Sequence, residues 1–135
     1  KRGTKKRVLS GGRDSLPAMI KAHRIQDKAR AVGFDWSEKS DIWNKIQEEL
    51  LELQNELEQE NQERMEEEFG DLLFSVVNAA RLYHIEPETA LERTNKKFIR
   101  RFNHIEATAL KQGRSIRKMT LDEMETLWQE GKKMG

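Results

Sequence analysis

Two groups of acidic residues, each with the spacing of a helix face, are the part of this sequence that could do chemistry. The first group follows the pattern E-E-x-x-E and the second E-x-x-D, and their members are Glu48, Glu49, Glu52, Glu68 and Asp71. Residues three or four positions apart share a helix face, so acids at this spacing repel one another. The first group borders the apolar face of its helix, whereas a merely solubilising charge run would lie opposite to it. We therefore expect a cation among these acids.

The residues that follow Asp71 indicate what kind of cation this is. They read L-L-F-S-V-V-N-A-A, which is apolar nearly all the way round a helix and predicts a buried helix. An ionised aspartate at the head of such a helix is costly unless it is paired with a cation or a metal ion. Oxygen ligands in a chain without cysteine favour Mg²⁺ or Mn²⁺ over zinc. Because phosphate usually supplies the remaining ligands of such a Mg²⁺ ion, a phosphate-containing substrate is also expected.

The other acids of this region are interpreted as a solvated helix face, because glutamate is a good helix former. They are Glu56, Glu58, Glu60, Glu63, Glu66 and Glu67.

Several cations and one amide could bind an anion near the acids. Lys97 and Arg101 lie one helical turn apart, so both side chains can reach the same anion. Asn95 lies on a neighbouring face, and Lys45 lies one turn before Glu49. Taken alone, Lys97 and Arg101 are more readily interpreted as ordinary surface charges, with salt bridges to the acidic helices, than as an anion-binding pair.

Other kinds of site are excluded by their missing motifs. The three histidines lack the spacing of a metal pair, and no E-x-x-H motif is present, which excludes a ferritin-like di-iron bundle. There is also no glycine-rich phosphate loop.

Composition limits the architecture and the class of partner. A chain of 135 residues with 36% charged residues predicts one helical domain, at 15–135, whose modest core is completed by a second subunit. The lack of cysteine fits a reducing cytoplasm, where we expect the protein to act. No apolar run approaches the roughly 20 residues of a membrane span. A net charge of +1 gives no general case for nucleic-acid binding.

The first 14 residues differ from the rest, since they are basic, contain Gly and Ser, and lack periodicity. We interpret residues 1–14 as a flexible linker or arm, with contact to phosphate or nucleic acid as the less favoured alternative. The chain begins at Lys1 and not at methionine, which suggests a fragment of a longer protein.

Helical periodicity predicts an all-α fold with no strand. The predicted helices cover residues 16–31, 40–61, 63–83 and 87–111, and a short fifth helix follows the capping box at Thr120–Glu123. Ser40 or Asp41 is predicted to cap the second helix, and Gly113 to end the fourth. The turn before the second helix is expected to pack Phe34 and Trp36 into the core.

At these residues the chain resembles the MazG family of nucleoside triphosphate pyrophosphohydrolases, all-α enzymes with the E-E-x-x-E and E-x-x-D signature. The signature is complete, and the resemblance extends over roughly residues 7–130. It includes L-P-A-M-I-K-A-H-R-I-Q-D-K-A, V-G-F-D-W, N-K-K-F-I-R-R-F and the segment that ends at Trp128. The opening K-R-V-L, followed by L-P-A, is most similar to the start of the C-terminal half of two-domain members.

The resemblance implies a role for each candidate residue. Glu49, Glu52, Glu68 and Asp71 would bind Mg²⁺. Lys45, Lys97 and Arg101 would hold the triphosphate, with Asn95 beside them and Trp128 closing the nucleotide pocket. Glu48 or Glu49 would be the general base. The implied fold is the four-helix, dimer-forming type, and we expect a homodimer or a dimer of dimers.

The implied reaction is attack of a metal-activated water on the α-phosphorus, which releases pyrophosphate and a nucleoside monophosphate. Two alternatives remain open. One is a related metal-dependent nucleotide phosphatase that cleaves at another position or prefers deoxynucleotides. The other is a non-catalytic helical oligomerisation or regulatory module whose acidic face binds a basic partner. The preferred base is not predicted, because base contacts in such pockets come from residues without a motif.

Overall fold

The computed structural model of this chain describes residues 7–10, 15–35 and 38–134. Trp36, predicted to lie in the core, and most of the predicted arm at 1–14 are outside the described residues. Within the described ranges the secondary structure is helical and contains no strand, which confirms the all-α prediction. The helices are α1 (Ala18–Ala31), α2 (Lys39–Gln59), α3 (Gln62–Leu82), α4 (Pro87–Lys111) and α5 (Leu121–Met134).

The helix boundaries follow the local chemistry, with one correction. Asn61 caps α3, because its side chain accepts a hydrogen bond from the Arg64 backbone N–H. Gly113 has a φ of +66°, a left-handed conformation that ends α4. The predicted cap of α2 at Ser40 or Asp41 is wrong. This helix begins at Lys39, after an extended Glu38, and has no side-chain cap.

The chain divides into two compact units, and the first is Lys1–Glu88. In this unit α2 packs against α3, and α1 packs against α3 as well. Only Glu60 and Asn61 separate α2 from α3, so these two helices run antiparallel. Ile42, Ile46 and Ala79 form the buried centre of the unit. This apolar contact fixes the faces that α2 and α3 present to each other.

The second unit is Thr89–Gly135. It has its own core, in which Ile105 and Ala109 of α4 and Met119 pack with partly buried residues of α5. A 3₁₀ turn at Ile116–Lys118, which the periodicity does not predict, precedes Met119 and connects the two helices.

The predicted capping box at the start of α5 is present. The Glu123 N–H donates to Thr120 Oγ1 at 3.1 Å, and the Thr120 N–H donates to Glu123 Oε1 at 3.0 Å. Arg114 donates to both oxygens of Glu123, at 2.5 and 3.1 Å. These contacts lower the pKa of Glu123 to about 2, with the Arg114 hydrogen bond as the largest cause.

Several apolar side chains that were predicted to be buried are exposed. Phe34 is 82% exposed, so its predicted place in the core is wrong. On α3, Phe69, Leu73 and Val76 are exposed although the helix was predicted to be buried. On α4, Leu91, Phe98 and Phe102 are exposed and Ile105 is buried, and on α2 the apolar residues Leu50 and Leu57 are exposed. Apolar periodicity therefore identifies which residues share an apolar helix face, but it does not show whether another element packs against that face.

We predict an acid-sensitive contribution of Glu123 to stability. Because its folded-state pKa is lowered, the ionised form is bound more tightly in the folded protein. The contribution is present above pH ~4.5, the usual glutamate value, and is lost as the pH falls towards 2. Glu123→Gln should therefore lower the melting temperature at pH 7 and lower it much less near pH 2.5, where only part of the contribution remains, measured by circular dichroism. Glu125→Gln, on the exposed surface of the same helix, is the control, and an equal loss at both pH values would contradict the prediction.

Candidate active site

The packing of α2 against α3 brings together three of the four predicted metal ligands. One carboxylate oxygen each from Glu49, Glu68 and Asp71 lies within 4.8 Å of the other two. Glu49 is only 4% exposed, Glu68 is partly buried, and Asp71 is exposed. The site therefore extends from the interface of the two helices to the surface. This distance range is short enough for one cation to contact all three carboxylates.

Glu52, the fourth predicted ligand, is outside this group of three but acts on it through its charge. The pKa of Glu68 is raised, and burial is the largest cause because it disfavours the charged form. The negative charges of Glu52, Asp71 and Glu49 raise it further. Repulsion among these acids therefore adds to the effect of burial on the pKa of Glu68.

Lys45 partly balances the acids from one side. Its Nζ lies 2.9 Å from Glu49 Oε1 and 3.5 Å from Glu48 Oε1. The pKa of Lys45 is raised, mainly by the hydrogen bond with Glu49. Lys45 is therefore a fixed positive charge at neutral pH. Since this one lysine faces several carboxylates, the site remains attractive to a further cation.

The donor set fits a hard divalent cation. Glu49 Oε2 and Glu68 Oε2 are buried and have no hydrogen-bond partner among the described residues. A buried, unpartnered carboxylate oxygen is costly, and a metal ion removes that cost. All the available donors are carboxylate oxygens, which Mg²⁺ and Mn²⁺ prefer.

Glu56 corrects the interpretation of the remaining acids as a solvated face. Its side chain is only 15% exposed, and Arg64 Nη1 lies 3.6 Å from its Oε1. Its Oε2 is buried without a partner among the described residues. The spacing contained the signal, since Glu49, Glu52 and Glu56 continue one helix face at i, i+3 and i+7.

A cavity of about 520 Å³ lies in the same unit and was not predicted. Its wall includes Ile25, Gln26, Ile42, Lys45, Ser75 and Asn78. Arg81 also lines it and is held by hydrogen bonds to Asp35 and Asn78. The polar residues Ser75 and Asn78 interrupt an otherwise apolar helix on the same face as Asp71, and this was the sequence signal for the cavity wall.

The remaining candidate residues belong to the second unit. Arg101 lies over the ring of Trp128, 5.6 Å from its centroid, and Phe98 packs against the same ring at 5.2 Å. Arg101 Nε is buried and has no hydrogen-bond partner among the described residues. Lys97 is exposed on α4, and Asn95 donates to Glu92 at 3.4 Å. The structure thus brings Arg101 and Trp128 together within this unit.

Comparison with known sequences gives a family match over the acidic helices. The model of the MazG nucleotide pyrophosphohydrolase domain matches residues 38–106, which contain both acidic groups, Lys97 and Arg101.

Individual relatives extend the similarity to most of the chain. Over 117 residues, 87% of this chain, it is 39% identical to a nucleoside triphosphate pyrophosphohydrolase/pyrophosphatase MazG of Thermotoga maritima. Over 121 residues, 88% of this chain, it is 40% identical to a nucleoside triphosphate pyrophosphohydrolase of Escherichia coli K12. The matches cover 45% and 46% of these relatives, so the chain spans about half of their length. A 72-residue match at 50% identity, 53% of this chain, covers 15% of the uncharacterized protein YabN of Bacillus subtilis.

We predict that Mg²⁺ stabilises this protein specifically, because it would replace repulsion among the acids by ligation. A ligand that binds only the folded state at 100 times its dissociation constant adds about 2.7 kcal/mol, a shift of a few degrees in melting temperature. Asp71→Asn should give a metal-free protein at least as stable as wild type that hardly responds to Mg²⁺.

Calorimetry with and without millimolar MgCl₂ measures both effects. NaCl of equal ionic strength and the variant Asp122→Asn, in the second unit, are the controls. The metal-site assignment fails if the wild type shows no Mg²⁺-specific shift and Asp71→Asn is simply less stable.

Proposed function

Because this chain belongs to the MazG nucleotide pyrophosphohydrolase family, we propose that it hydrolyses nucleoside triphosphates to nucleoside monophosphates and pyrophosphate. The observation that carries the proposal is the group formed by Glu49, Glu68 and Asp71, whose oxygens lie within 4.8 Å of one another. Two of these residues have a buried oxygen without a hydrogen-bond partner among the described residues. The names of the two relatives that match most of the chain support the same reaction.

We propose Mg²⁺ as the cofactor, with Mn²⁺ as the alternative, and Glu49, Glu52, Glu68 and Asp71 as the residues that would hold it. When bound, such an ion supplies positive charge to the triphosphate and lowers the pKa of a water molecule. Glu52 lies outside the group of three, but its charge acts on Glu68. We therefore place it as the ligand next to Glu68.

Glu48 or Glu49, both on α2, would accept the proton of the attacking water. In the proposed reaction a water oxygen attacks the α-phosphorus in line, and the bond from that phosphorus to the pyrophosphate oxygen breaks. Of the two candidate general bases, Glu48 is the better placed, since its side chain is 59% exposed while Glu49 belongs to the acidic group. Lys45 lies within 3.5 Å of both carboxylates and would orient them.

We propose that Lys97 and Arg101 bind phosphate oxygens, where their fixed positive charges stabilise the redistributed charge of the transition state. Both are on α4, one turn apart, and Asn95 precedes them on the same helix. Trp128, which packs against Arg101 and Phe98, would help to close the nucleotide pocket.

Neutralising a single ligand tests the proposed activity. Glu52→Gln and Asp71→Asn should each lower the rate of Mg²⁺-dependent pyrophosphate release by about a hundredfold or more while circular dichroism is unchanged, because a lost ligand weakens metal-assisted catalysis. Glu58→Gln is the control, because Glu58 is an exposed acid of α2 outside the proposed site, and it should keep wild-type activity.

The products separate the proposal from its alternatives. A panel of NTPs and dNTPs should yield pyrophosphate and a monophosphate. Release of orthophosphate instead would indicate a phosphatase that cleaves elsewhere, and no metal-dependent hydrolysis by the folded protein would favour the helical module.

The exposed apolar stripe of α3 generates a prediction about assembly. Phe69, Leu73 and Val76, spaced as i, i+4 and i+7, are 48%, 54% and 47% exposed. A continuous apolar stripe on a small domain is typical of a subunit interface. We predict a homodimer or a dimer of dimers by light scattering at micromolar concentration. Leu73→Lys should shift it towards monomer, whereas Leu110→Lys, on α4, should not. A monomeric wild type would contradict the prediction.

A further inference from the structure

The cavity of the first unit has the character of a small-molecule pocket. Its volume of about 520 Å³ is within the usual range for such pockets. Most of its wall is apolar, with Ile25, Ile42 and Phe74 among the lining residues. Polar and charged side chains complete the wall, and they are Gln26, Asp35, Lys45, Ser75, Asn78 and Arg81. A wall that is mostly apolar in area and carries polar groups at defined places suits a flat ring with hydrogen-bonding groups at its edge.

The cavity lies next to the acidic group along both helices that build it. On α3, Glu68, Asp71, Ser75 and Asn78 fall within a stripe roughly 80° wide, since each residue advances about 100°. Asp71 and Ser75 are separated along the axis by about 6 Å, and Asp71 and Asn78 by about 10 Å. On α2, Lys45 both lines the cavity and lies 2.9 Å from Glu49 Oε1. A molecule with phosphates at the acids would therefore extend into the cavity.

Gln26 presents a specific hydrogen-bonding group in this wall. It is only 7% exposed, and its Nε2 donates to the Phe74 carbonyl oxygen at 3.0 Å. Because the carbonyl can only accept, this contact fixes the orientation of the amide. The other atom, Oε1, is buried and has no hydrogen-bond partner among the described residues. A buried acceptor without a partner is costly, so the site favours a ligand that brings a donor.

We propose that this cavity is a nucleobase pocket and that Gln26 Oε1 accepts a hydrogen bond from an N–H group on the edge of the base. The inference rests on the proposed function, since it places the base of the same triphosphate. Adenine and cytosine offer an amino group, guanine offers an amino group and a ring N–H, and uracil offers a ring N–H. The Gln26 acceptor can therefore pair with any of the four bases, but it disfavours a base without an N–H donor.

ATP and purine riboside triphosphate form the pair that tests this, because the second lacks the amino group of adenine and has no N–H on its six-membered ring. We expect wild-type kcat/KM to be roughly tenfold higher for ATP, the effect of one buried hydrogen bond. Gln26→Met keeps a side chain of similar length but removes the acceptor, so it should bring the ratio close to one. Gln54→Met, an exposed glutamine of α2, should keep the wild-type ratio.

The outcomes are distinct. Equal wild-type kcat/KM for the two nucleotides overturns the proposal, as does a Gln26→Met protein that keeps the preference for ATP. The wild-type comparison stands without the variant, so a misfolded variant does not decide the result. If neither nucleotide is hydrolysed, the proposed function fails, and calorimetric titration with the α,β-methylene analogues of both nucleotides tests the pocket separately. A tenfold difference in Kd then supports the pocket, and equal or undetectable binding overturns it.

Discussion

Repulsion among the carboxylates between α2 and α3 is the constraint on which the rest of the first unit depends. Glu49, Glu68 and Asp71 converge within 4.8 Å, and the charge of Glu52 acts on the same place. Like charges at this range destabilise the fold, and burial of Glu49 increases the cost. The apolar contact of the two helices must oppose it, and this contact is made by short aliphatic residues one to two turns away. The acids can therefore stay close together before any cation arrives, which is what a preformed metal site requires.

The same two helices join the acidic group to the cavity. Lys45 contributes to both, since it neutralises part of the charge on Glu49 and also lines the cavity. On α3 the polar stripe continues from Asp71 to Ser75 and Asn78, where it meets Arg81 and Asp35. Arg81 is buried, so its two hydrogen-bonded partners are needed to hold a charge there. The same helix pair thus carries an acidic group at one place and, next to it, a cavity whose wall combines apolar and polar side chains.

The departures from the sequence predictions have a common cause. Periodicity reports which residues share a face, but burial depends on what packs against that face. Phe34 follows a helix end and faces an open cavity, so its size and apolar character did not place it in the core. On α3, one stripe packs inside the unit while the stripe of Phe69, Leu73 and Val76 is exposed. Glu56 shows the opposite case, because an acid assigned to solvent is largely buried beside Arg64.

The sequence by itself determined the helices, their order, the capping box of α5 and the pairing of acids at i, i+3, because these depend on backbone hydrogen bonding and short-range periodicity. It also identified the family, through a signature confined to two adjacent helices. Only the tertiary structure decided which oxygens converge, that Lys45 pairs more closely with Glu49 than with Glu48, and that Gln26 lines a cavity and has a buried acceptor. Gln26 and Phe74 are 48 residues apart, and no local pattern encodes a contact between helices at that separation. Side-chain convergence depends on how α1, α2 and α3 pack, and packing is a property of the whole unit.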